Sequence, residues 1–90
     1  MALNDELPMA PVDGVRADVL VDARDLRCPL PLLRLRQSLR DAPVGQLLEL
    51  QATDAGSVRD VAAYARLSGN TLEAFQEREG VFHYWLRRVT

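Results

Sequence analysis

Ninety residues with 48% hydrophobic and 27% charged side chains and a formal charge of -2 at pH 7 make one small domain with a modest core and no second one. That balance supplies no broad basic field for nucleic acid, no apolar run approaches the roughly 18 residues that span a bilayer, and residues 1–7 lack the basic-then-apolar order of a signal peptide. The single cysteine rules out an internal disulfide, a Cys-x-x-Cys redox pair and a thiolate-rich zinc centre. It fits a reducing cytoplasm, the expected location.

Residues 1–16 hold Pro8, Pro11 and Gly14 without a sustained period, and read as a flexible leader before a domain at 17–90. Residues 17–23 alternate around Val19 and Val21 and predict a first strand. Asp25, Leu26 and Arg27 then form a short loop that delivers Cys28, Pro29, Leu30 and Pro31. Proline is tolerated in a helix only in the first turn, where its missing N–H has no intrahelical partner. The helix is therefore expected to begin at about Pro29, with Cys28 as its N-cap and the Leu30 N–H within reach of the thiol. The positive end of the macrodipole, with Arg24 and Arg27 nearby as candidate stabilisers of a thiolate, predicts a pKa moderately below the usual value of about 8.5. The plainer reading of both arginines is a pair of solvated charges.

Along that helix Leu32, Leu35 and Leu39 form a core-facing stripe. Leu30 and Leu33 fall off it, and beside a thiol they are candidate docking contacts for a partner protein, although single exposed leucines are also common. Turn residues at 41–45 end the helix, and residues 46–52 predict a strand with Leu48, Leu50 and Ala52 on one side. After a loop at 53–57, Ser57 and Asp60 resemble a weak capping box on a second helix that buries Val58, Val61, Ala62 and Ala65 and stops at Gly69. Strands at 71–79 and 81–89 follow, joined at Gly80. In the last one Phe82, Tyr84 and Leu86 are expected in the core. Trp85 then lies on the open face, as a contact residue or half-covered by neighbours. His83 is too remote in sequence to favour a Cys-His pair. The order βαβαββ predicts an α+β two-layer sandwich: a mixed four-stranded sheet with two helices on one face, strands one and two parallel, three and four antiparallel.

Cys-Pro-Leu-Pro, preceded by residues 21–27 and followed by Leu32-Leu33-Arg34-Leu35-Arg36, resembles the TusA-type (SirA-like) sulfur-carrier family with its Cys-Pro-x-Pro motif. The resemblance runs from Val19 to Arg88 and takes in residues 52–60 and the ending 80–88. It implies the same fold. It also implies a sulfurtransferase-type carrier in which Cys28 accepts sulfane sulfur as a persulfide, from a cysteine desulfurase or a rhodanese-type donor. The implied acceptors serve tRNA thiolation, molybdenum-cofactor enzymes or sulfur oxidation. Asp54 matches an acidic position of the family, with a loop-shaping role more natural than proton transfer. Asp25 stands where glycine is usual and Ala55 where proline is common.

Exchange chemistry asks for an accessible thiol, and only one, because the second belongs to the partner. No cofactor, metal, membrane or nucleic acid is called for by the residues. The competing reading is a non-catalytic interaction or regulatory module, with Cys28 as a mere cap and the open sheet face, through Trp85, as the surface that binds a protein. RNA binding and thiol peroxidase activity are weaker, for want of a basic patch and of a resolving cysteine.

Overall fold

Six elements follow one another in a computed structural model of the chain, which describes residues 16–90. They are β1 (Val19–Ala23), α1 (Leu30–Asp41), β2 (Leu47–Ala52), α2 (Gly56–Ser68), β3 (Thr71–Arg78) and β4 (Val81–Arg87). The expected leader, apart from Arg16, lies outside the described residues. The strands stand in the order β1-β2-β4-β3. β1 runs parallel to β2, and β4 antiparallel to both β2 and β3, so this is the mixed sheet that the element order predicts.

The register explains where the core sits. Val21 pairs with Leu50, Leu50 with Tyr84 and Tyr84 with Phe75, giving one apolar row across all four strands. Leu35 and Leu39 of α1 and Val61 and Ala62 of α2 close over that row, and all are buried in one cluster with it. On β3 the side chains do not keep a strict period of two. An irregularity between Leu72 and Ala74 inserts one residue, so Leu72 packs with the helices while Ala74 turns to the opposite face. Glu79 (φ 53) and Gly80 (φ 80) form the β3–β4 turn; two successive left-handed residues match the twist of a tight hairpin. Gly69 ends α2 in the left-handed conformation (φ 83), as expected of that glycine.

Two expectations about burial change. The buried positions of α1 are Pro31, Leu35 and Leu39, and Leu32 is only half-buried. The helix starts at Leu30, one residue later than the prolines imply, with Pro29 at its N-cap. The inward stripe then runs at intervals of four. Trp85 is on the sheet face away from the helices, yet it is 1% exposed, packed in a second cluster with Leu47, Ala74 and Ala17. Its ring stacks on His83 with centroids 5.9 Å apart. Trp85 is therefore a packing residue of that face and has no surface to offer a partner.

Candidate functional site

β1 and β2 end side by side at the Ala23 and Ala52 pair, so the loops that follow leave the sheet at the same edge. The Asp25 N–H donates to Thr53 Oγ1 at 2.9 Å, tying one loop to the other. Asp25 does so at φ 66, the left-handed region that favours glycine and that aspartate tolerates better than most. In the second loop Asp54 Oδ2 accepts from the Gly56 N–H at 3.0 Å. That is the loop-shaping role expected of an aspartate two residues before the amide it binds. Ala55 holds φ -63 at the start of α2, a value proline would share.

Ser57 and Asp60 do not form a capping box. Ser57, buried in the first turn of α2, shares a 2.7 Å hydrogen bond between its Oγ and Tyr84 OH, which anchors the helix start to the sheet. Burial also pushes the Tyr84 hydroxyl pKa well up, keeping it a neutral phenol. The pinned helix brings Gly56 and Asp60, one turn apart on one side, against the other loop. A methyl group on Gly56 would lie 3.2 Å from Cys28 Cβ, 3.5 Å from Cys28 Sγ and 2.9 Å from Asp54 Oδ2. Glycine allows that approach without a shift of Cys28 or of the Asp54 carboxylate.

Cys28 is exposed, and its Sγ donates to Asp60 Oδ2 at 2.7 Å. The Cys28–Pro29 peptide is cis. The Leu30 N–H donates to the Arg27 carbonyl at 2.8 Å, so the amide expected to receive the thiolate is already occupied. The thiol pKa is raised, not lowered. The Asp60 hydrogen bond is the main cause, followed by desolvation and by the charges of Asp60 and Asp54. A nearby carboxylate both accepts the S–H and repels the thiolate.

Neither arginine is among those influences. Arg24 is held by Asp22 through Nε at 2.9 Å and Nη2 at 3.0 Å, and this pairing depresses the Asp22 carboxyl to about 2. Arg27 is exposed, with its backbone carbonyl engaged by Leu30. His83 is bonded through Nδ1 to Glu49 Oε2 at 3.0 Å on the far face of the sheet, away from the thiol. Leu30 and Leu33, each 47% exposed, do face water on the helix that follows Cys28. A shallow groove lined by Leu32, Tyr64 and Leu67 shares only Asp60 with the surroundings of the thiol.

Asp60 and Gly56 are the site residues that reading the sequence alone missed. Their spacing of four on one helix face was the available signal, hidden by the more familiar cap pattern of Ser57 and Asp60. Gly56→Val is expected to destabilise the fold by about 1–3 kcal/mol through overpacking. It should also speed alkylation of Cys28 by pushing the thiol off Asp60, a pair of effects that a denaturant titration and an iodoacetamide time course would read.

The fold and site together define a small α+β sandwich with one exposed thiol just beyond the ends of two parallel strands. The family model for Sulfurtransferase TusA matches residues 19–88. The chain belongs to the TusA sulfurtransferase family. It is 42% identical over 71 residues to the sulfur carrier protein TusA of Allochromatium vinosum, covering 79% of this chain and 93% of the relative. It is 40% identical over 78 residues to that of Pseudomonas syringae pv. syringae, with coverage of 87% and 93%. A SirA-like protein from Desulfitobacterium hafniense has the same fold, with a TM-score of 0.69 at 20% identity, over 80% of this chain and 99% of that one.

Proposed function

We propose that this chain is a sulfur carrier whose cargo rides on Cys28. The observation that carries the reading is the placement of the only cysteine: exposed, just beyond the adjacent ends of β1 and β2. A thiolate is a nucleophile and a good leaving group, so one sulfur atom suffices both to receive and to release. In loading, Cys28 Sγ attacks the terminal sulfur of a donor persulfide and the donor S–S bond breaks with its electron pair on the donor sulfur. That sulfur takes up the proton released by Cys28. One sulfur atom changes hands with no net oxidation.

The donor in this reading is a cysteine desulfurase or rhodanese-type protein. The recipient belongs to tRNA thiolation, molybdenum-cofactor assembly or sulfur oxidation. Leu30 and Leu33 supply the apolar contact beside the thiol that such partners would cover. The interaction-module reading is weaker, because the aromatic it relied on, Trp85, is buried. No helix among the described residues is long and apolar enough to cross a membrane.

Incubation with a desulfurase and free cysteine, and separately with a rhodanese-type donor, should add the mass of one sulfur atom to the intact chain, removable by dithiothreitol. An unchanged mass with both donors would end the proposal.

A further inference from the structure

This inference rests on the reading of Cys28 as the sulfur-bearing atom. We infer that Asp60 is a positioning residue that holds the thiol of the empty carrier against α2 in its S–H form and so keeps it slow toward electrophiles.

The geometry supports this from two directions. The 2.7 Å contact gives the thiol proton a defined acceptor on a different element from the one bearing the cysteine. The acceptor is itself fixed, since Ser57 and Tyr84 anchor the turn that carries it and Gly56 lets that turn touch Cys28. The charges around the thiol favour the protonated form. From α2 comes Asp60, and from the loop before it Asp54, partly turned to its own helix start. On the loop that bears Cys28, Arg24 is occupied by Asp22, Asp25 is tied through its amide to Thr53, and Arg27 is exposed. Arg34 of α1 lies with Asp22 and Arg24 along a cleft that does not include the cysteine. Because the thiolate is the reactive species, a carboxylate in this position makes the resting thiol slow toward stray electrophiles. Displacing the carboxylate restores it.

The test reads the thiol without any donor. Cys28 is the sole cysteine, so the pH dependence of its alkylation by iodoacetamide reports one group. Asp60→Asn, nearly isosteric, is expected to move the inflection to lower pH and to alkylate several-fold faster than the parent at pH 7. Asp60→Glu is expected to return the profile most of the way. A merely structural role for Asp60 would leave the inflection in place. An Asn profile that superimposes on the parent, or moves to higher pH, overturns the inference; circular dichroism of each variant shows whether the comparison is between folded proteins, and Asp60→Ser replaces the Asn variant if that one unfolds. A shifted profile in a protein that never gains sulfur would instead refute the carrier reading and leave the Asp60 effect standing.

Discussion

Cys28→Ser is expected to abolish sulfur uptake outright while leaving stability within about 0.5 kcal/mol of the parent, the usual range for an exposed substitution away from the core. The side chain is exposed, and a serine hydroxyl retains a proton to donate toward Asp60, so the two loops keep their arrangement. What disappears is the chemistry, because a serine hydroxyl stays protonated near neutral pH and offers no sulfur on which a persulfide could form. Mass spectrometry after incubation with a donor, paired with a urea titration, measures both halves. Sulfur still bound to the serine variant would place the cargo on some other group, and a large loss of stability would make Cys28 a structural residue.

The second large effect is expected on the opposite face of the sheet. Trp85→Ala should cost about 3–5 kcal/mol, the range for truncating a buried aromatic, out of the 5–15 kcal/mol that holds a typical domain together. Leu47, Ala74 and Ala17 surround the ring, and His83 stacks on it. The indole Nε1 is buried with no hydrogen-bond partner among the described residues. An unsatisfied buried donor costs about 1–3 kcal/mol, so Trp85→Phe, which deletes that donor and keeps an aromatic ring, should lose far less than Trp85→Ala. Equilibrium unfolding followed by circular dichroism separates the two. A loss under about 1 kcal/mol for Trp85→Ala would mean that this side of the sheet contributes little packing.

Much of the fold was legible because alternation and turn residues are local. The row Val21, Leu50, Tyr84 follows directly from apolar periodicity in three strands, and Gly69 and Gly80 mark where elements stop. Three features were not local. The β3 irregularity moves Ala74 across the sheet through an inserted residue that alternation alone does not announce. Ser57 and Asp60 carry a helix-start pattern, but tertiary partners claim both side chains: Tyr84 takes the first and Cys28 the second. The placement of the thiol just before a helix start was legible from its neighbours Pro29 and Pro31. Its electrostatics were not, because they are set by a helix whose contact residue is 32 positions away. A macrodipole argument counts the amides of one helix, and here the nearest charge belongs to another.

The close approach of Gly56 has a consequence for the loaded state. A side chain at Gly56 would press on Cys28 Cβ and Sγ, whereas Cys28 itself is exposed, so on the proposed carrier role a second sulfur, bonded at about 2.05 Å, would extend from a side chain already open to solvent. On that reading, cargo is within easy reach of a recipient and equally of the surrounding buffer. Such a mount suits brief custody and prompt delivery better than long storage.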